Sequence, residues 1–230
     1  MCKFILIETS TSLCSVALAV DGKIVGSRES SAPKAHASLT AQFIKELLDE
    51  QGLFVKECDA VCVSSGPGSY TGLRVGASTA KGLCFAAGIP LIACGTLDVL
   101  ASQAHDTRSI PEGCRYIVPM VDARRMEVYT ATFSPDGKRL SEVEAVVVDE
   151  NSFAELLAQG PVLFIGDGAA KCADVITSDN ARFVQTYPHA SALLKPATKA
   201  FEAGDFQNCA YFEPFYLKQF VATVSKKKLF

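Results

Sequence analysis

The residues able to do chemistry lie in a few loops. Thr9, Ser10, Thr11 and Ser12 follow the apolar run Lys3–Glu8, and their hydroxyls and backbone amides suit an anion. Asp122-Ala123-Arg124-Arg125 closes a second apolar run with two guanidinium groups that suit a phosphate or a solvent-facing surface equally well. Glu8 and Asp122 each end such a run. Facing one another across a cleft they would make an acid/base or metal-binding pair, and otherwise each bonds its own loop. The longest loop is SSGPGSYTGLRVG, Ser64–Gly76, which either cradles a phosphate or uses its glycines for close packing.

Three known signatures are absent from that loop. No Gly-Lys-Ser/Thr follows, as a P-loop requires, and there is no dinucleotide fingerprint with its acid. Ser69 follows the second glycine instead of sitting between two, so it is no nucleophile elbow. The nine cysteines include no C-x-x-C pair and the three histidines are far apart, so neither metal nor thiol chemistry is expected. Cysteines inside apolar runs (Cys14, Cys62, Cys84, Cys94) fit a reducing, cytoplasmic setting. A net charge of −3 excludes a surface that is basic throughout, and the Ser225–Lys228 cluster reads as a solvated tail. No apolar stretch is long enough for a membrane span, and the opening MCKFILIETS reads as a buried strand, not a signal peptide.

The elements that position these loops repeat. Lys3–Glu8, Cys14–Val20 and Ile24–Ser30 read as strands, with Asp21-Gly22-Lys23 as a tight hairpin turn. An amphipathic helix spans about Ala35 to Gln51, its Leu39, Phe43, Ile44, Leu47 and Leu48 recurring every three or four residues before Gly52. A strand at Asp59–Ser65, a helix running to Gly88, a strand to Gly95 and a helix with Thr96 as N-cap complete the first half. The second half repeats the order: a strand ending in Asp122, a strand–turn–strand around Asp136-Gly137-Lys138, a helix at Ser152–Gln159, and Val162–Ala170 leaving through Gly166 and Gly168. Glu8 precedes its Asp-Gly turn by 13 residues and Asp122 by 14. Features in the same order point to a duplicated lobe.

The expected fold is therefore α/β with two similar lobes, a plan that resembles the actin-like ATPase superfamily of sugar kinases and heat-shock chaperones. The lobes divide as 1–104 and 105–230 across the polar stretch His105–Gly113. In that fold the first hairpin loop of each lobe grips nucleotide phosphates and a Gly-rich turn of the second lobe takes the adenosine. The corresponding candidates are Thr9, Ser10, Thr11, Asp122, Arg124, Gly166 and Gly168. Neither hairpin loop carries the superfamily's glycine, which weakens an ATP clamp. The helix after Gly68 adds a stripe of small residues: Gly72, Gly76 and Ala80, four apart, with Thr79 and Leu83 beside them. Such a stripe lets another helix approach closely, either the 35–51 helix or a partner's.

ILIETSTSLCSVAL, SSGPGSYTGLRVGASTAKGLCFAAGIPLI, VDARRMEVYTA, IGDGA and PFYLK together resemble the bacterial TsaB family, also called YeaZ, over about residues 3–218. The resemblance implies a noncatalytic paralogue of TsaD, the enzyme that transfers a threonylcarbamoyl group to the tRNA adenosine beside the anticodon. It further implies a complex with TsaD and the ATPase TsaE, with tRNA met only through that complex. TsaD carries a metal-holding His-x-x-x-His pair where this chain has Thr96 and Leu100, so no catalytic residue, metal or cofactor is expected. Weak nucleotide binding at the interface with the partner stays open. The helices supply the implied partner face: Leu39, Phe43 and Leu47 on the first, Gly72, Gly76, Thr79, Ala80 and Leu83 on the second. His36 is a contact or a cap. A homodimer is expected for the isolated chain. The alternative is a nucleotide-binding enzyme or hydrolase of the same superfamily.

Overall fold

The computed structural model describes residues 2–218; the Ser225–Lys228 cluster lies outside them. Two five-stranded sheets form the frame. The first contains β1 (Lys3–Glu8), β2 (Cys14–Val20), β3 (Lys23–Ser30), β4 (Ala60–Gly66) and β5 (Leu91–Gly95). The second contains β6 (Tyr116–Asp122), β7 (Glu127–Thr130), β8 (Glu144–Val147), β9 (Val162–Gly166) and β10 (Ala181–Gln185). Their spatial orders, β3-β2-β1-β4-β5 and β8-β7-β6-β9-β10, correspond strand for strand. In each, the first three strands pair antiparallel and the last two join in parallel. The strands at the centre, β1, β4, β6 and β9, are near-continuous apolar runs because both their faces are covered.

Helices distinguish the halves. Beside the first sheet lie the long α1 (Ala35–Glu50) and α2 (Tyr70–Ala87); their counterparts α4 (Ala154–Leu157) and α5 (Ala169–Ala173) are four and five residues. Phe43, Ile44, Leu47 and Leu48 of α1 and Ala80 and Cys84 of α2 enter one core with β1, β2 and β4. α3 (Thr96–Asp106) crosses to the second sheet, where Leu97, Leu100, Ala101 and Ala104 pack on Ile117, Val121 and Leu163. A 3-10 turn at Ala190–Leu193 and α6 (Leu194–Ala203) return to the far face of the first sheet, against Phe4, Leu6 and Cys62. Residues 190–203 of the second half therefore pack on the first sheet.

The Asp21-Gly22 turn has φ values of 49° and 72°, the left-handed pair a type I′ hairpin needs. Elsewhere the expectations shift. The Asp136-Gly137 turn forms, but as the tip of an excursion whose ladder thins to the Phe133–Arg139 bridge; β7 pairs directly with β8. The helix expected at Ser152–Gln159 shrinks to Ala154–Leu157, because Phe153 takes a left-handed φ of 64° and Gly160-Pro161 follow. Gly95, not Thr96, caps α3, since the chain turns from β5 straight into the helix; Thr96 is its first residue, fully buried.

Candidate functional site: a filled cleft and an open helix face

The loop after β1 is not an open cradle. Thr9 and Ser10 are fully buried and Thr11 nearly so. Ser10 gives its amide to Glu8 Oε1 (2.7 Å), and its carbonyl accepts the Ser69 amide (2.6 Å). The Thr9 hydroxyl donates to the Gly72 carbonyl (2.9 Å). The glycines of SSGPGSYTGLRVG make this approach possible. A Cβ on Gly68 would stand 2.2 Å from the Ser10 carbonyl oxygen, one on Gly72 2.0 Å from that of Thr9, and one on Gly76 2.3 Å from Thr9 Oγ1. Gly72 and Gly76 thus bring α2 onto the β1 loop of the same lobe, not onto another helix. Loop and helix lock into one body.

Glu8 sits at the base of this lock, fully buried, accepting from Ser10 and from the Ser64 hydroxyl. Burial pushes its carboxyl up to about 7, against the lowering effect of those hydrogen bonds. The sequence offers Asp122 as a carboxylate to face Glu8, or each acid as a partner for its own loop; the carboxylate whose repulsion Glu8 feels belongs to Asp167, in the Gly166-Asp167-Gly168 turn. Burial raises Asp167 to about 6, with neighbouring Asp122 adding to the rise. Asp122 donates its amide to Asp167 Oδ1 (2.9 Å), and its own carboxylate takes the Arg124 amide (2.9 Å) and the Lys171 ammonium. Neither Asp167 nor Lys171 is visible as a partner in the sequence: Asp122 meets both because β6 and β9 pair in parallel, and Asp167 acts on Glu8 only because the two sheets face each other.

The second-lobe loops are equally committed. Gly166, at φ 140°, would place a Cβ 2.1 Å from the Met120 carbonyl oxygen, and the Gly168 amide donates to that same oxygen (3.0 Å). Both glycines serve the contact with β6. Arg124 and Arg125 occupy the β6–β7 hairpin tip with φ values of 71° and 50° and project exposed side chains.

The expected partner face divides in two. Phe43, Leu47 and Ala80 are interior, and Gly72 and Gly76 are covered by the β1 loop. Leu39, Thr79 and Leu83 are half-buried at the margin. His36 is half-buried in the first turn of α1 and does not cap it: Lys34 is the cap residue, with no side-chain hydrogen bond there. The outer stripe of α2 is Thr71, Arg74, Ser78, Gly82, Phe85 and Ala86. Phe85 is 87% exposed, and a Cβ on Gly82 would meet nothing within 4 Å. Phe54, 68% exposed, flanks the 3-10 turn Val55–Glu57 that packs on α2. Exposed aromatics beside a small-residue stripe form an apolar face of the kind that binds other proteins.

Known proteins agree with this architecture. The family model for TsaD, tRNA N6-adenosine threonylcarbamoyltransferase, matches residues 26–225. The chain is 28% identical to the tRNA threonylcarbamoyladenosine biosynthesis protein TsaB of Escherichia coli K12, over 96% of each. It is 30% identical to TsaB of Bacillus subtilis 168, over 70% of this chain and 69% of that one. A crystal structure of a Pseudomonas aeruginosa protein similar to YeaZ superposes with TM-score 0.82 at 27% identity, covering 95% of this chain and all of the other. The fold is shared with the activator of 2-hydroxyisocaproyl-CoA dehydratase from Clostridium difficile, at TM-score 0.50 and 12% identity over 88% of this chain and 96% of that one. The chain belongs to the TsaB (YeaZ) family.

Proposed function

We propose that this chain is a noncatalytic docking subunit that binds and stabilises a TsaD-type transferase while that enzyme adds the threonylcarbamoyl group to tRNA. Family membership supports a role in tRNA threonylcarbamoyladenosine biosynthesis. The single observation that carries the docking reading is the exposed Phe85–Gly82 face on one of the two long helices that the second lobe lacks. In the isolated protein this face pairs with a second copy; in the working complex it meets the paralogue, with a TsaE-type ATPase joining them. The chain works in the cytoplasm; among the described residues no helix is long and apolar enough to cross a membrane. Thr96 and Leu100, both fully buried, offer no imidazole where TsaD holds its metal, which favours a silent subunit.

A second reading, nucleotide binding in the cleft, draws support from the buried carboxyl of Glu8, which feels Asp167 of the other sheet. Against it, the Ser10, Asp122 and Gly168 amides are already bonded within the chain.

The test is a pull-down with the organism's own TsaD, with and without nucleotide. Wild-type protein retains TsaD. Gly82→Glu weakens the complex at least about thirtyfold, the loss typical of a hot-spot position, without unfolding the chain. Ala80 is the wrong site for such a charge, since it would be buried unpaired in the core. Undiminished binding by Gly82→Glu and Phe85→Glu contradicts the proposal.

A further inference from the structure

The segment Pro214–Lys218, PFYLK, is not used by the docking reading, although it touches the SSGPG loop and the start of α2. We infer that residues 207–218 form an interlobe clasp, a strap built onto the first lobe that latches onto the second through one exposed ion pair. The inference does not depend on the identity of any partner.

The first-lobe half is extensively anchored. Gln207 donates its amide to the Leu91 carbonyl (2.8 Å) as an added bridge on β5. Lys81, on α2, donates its ammonium to the carbonyls of Ala210 (3.2 Å) and Phe212 (3.0 Å), while its own carbonyl accepts the Cys209 thiol (3.3 Å). Cys209 and Phe212 pack on the core beneath α1 and α2. Farther along, the Phe215 amide donates to the Ser65 carbonyl (2.7 Å). The Phe215 carbonyl oxygen lies 2.5 Å from where a Cβ on Gly66 would stand, and Gly66 has φ 111°. The first glycine of SSGPG is therefore required twice, by its backbone angle and by the strap. Tyr216 then packs on Tyr70 with the rings tilted by 43° and their centroids 4.8 Å apart, and the Arg74 guanidinium covers the Tyr70 ring at 4.1 Å.

Among the described residues, the second-lobe end of the strap is one ion pair. The Lys218 ammonium pairs with Glu127 Oε2 on β7, where the Glu127 carbonyl also takes Lys171, the lysine that pairs with Asp122. The strap thus ends in the charge network of the second-lobe hairpin while its length is fixed to α2 and β4. An exposed ion pair is weak and salt-sensitive, as a latch that must open requires. With it closed, the hairpin and the β4–α2 turn move together; with it open, the lobes stay joined by their shared core and by contacts away from the strap, such as Arg139–Asp98 and Gln103–Thr186.

Residue-resolved amide exchange on the full chain tests this, with Lys218→Ala, Glu127→Ala and the double variant. Each single change accelerates exchange of the Phe215 amide and of the hairpin amides Ala123 and Glu127 roughly threefold, and the double change no more than either alone. Raising the salt reproduces the effect in wild-type protein. Tyr216→Ala accelerates the Phe215 amide roughly tenfold. Multiplicative effects in the double variant, or a faster Phe215 amide with the hairpin amides unchanged, overturn the clasp.

Discussion

Gly72→Ala will destabilise the protein by about 3 kcal/mol or more, roughly 6–12 °C in melting temperature, while Gly82→Ala ten residues along the same helix will stabilise it by about 0.5–1 kcal/mol. Neither glycine has a positive φ, so backbone freedom does not decide the outcome. Space does. The added methyl at 72 would sit 2.0 Å from the Thr9 carbonyl oxygen, which is backbone and cannot rotate away. Relief means moving α2 off the β1 loop, which breaks the Thr9–Gly72 and Ser69–Ser10 hydrogen bonds. At 82 the methyl meets nothing and only the helix-propensity gain remains. Calorimetry on the two variants checks the opposite signs; equal small effects would mean that the lock between loop and helix is not tight.

Glu8→Gln will change how stability depends on pH. The Glu8 carboxyl titrates near 4.5 when unfolded and at about 7 when buried in the fold. Between those values the folded chain keeps a proton that the unfolded chain releases, so stability falls as pH rises through the window. The total loss is about 3 kcal/mol, absent below 4.5 and complete above 7. Asp167, raised from 3.8 to about 6, acts in the same direction at slightly lower pH. Glutamine at position 8 keeps the acceptor for the Ser10 amide and cannot ionise. Urea unfolding from pH 5 to 8 should show the variant within about 1 kcal/mol of wild type at pH 5 and more stable by about 2–3 kcal/mol at pH 8. Parallel curves across that range would contradict the buried setting of Glu8.

The frame was legible in the sequence because its signals are local. Continuous apolar runs mark strands covered on both faces, Asp21-Gly22 marks the hairpin, and the order of elements reveals the duplication now seen in the matching sheets. β10, with Arg182 in a five-residue edge strand, and α6, with Ala197 as its buried residue, carry weaker local patterns and did not stand out. The partner face was harder for a different reason. Hydrophobic periodicity reports that a stripe is buried, not which body buries it. Phe43, Leu47 and Ala80 follow that period because their own lobe covers them. The C-terminal half of the open face instead consists of Ser78, Gly82 and Ala86 with one aromatic of α2, Phe85, and no charge beyond Arg74 near its start. That aromatic was the available signal. Asp167 had none, since its effect on Glu8 exists only once the two sheets face each other.

Reconstituted threonylcarbamoylation of tRNA, with TsaD and its other components supplied, is the most direct test of a noncatalytic docking subunit. Three forms of this chain should be compared: wild type, Phe85→Glu on the open face, and Thr11→Ala in the cleft loop. If the chain acts by docking, Phe85→Glu abolishes product formation and Thr11→Ala leaves it within about twofold of wild type. Full activity with Phe85→Glu and loss of activity with Thr11→Ala would place the function in the cleft and contradict the docking account.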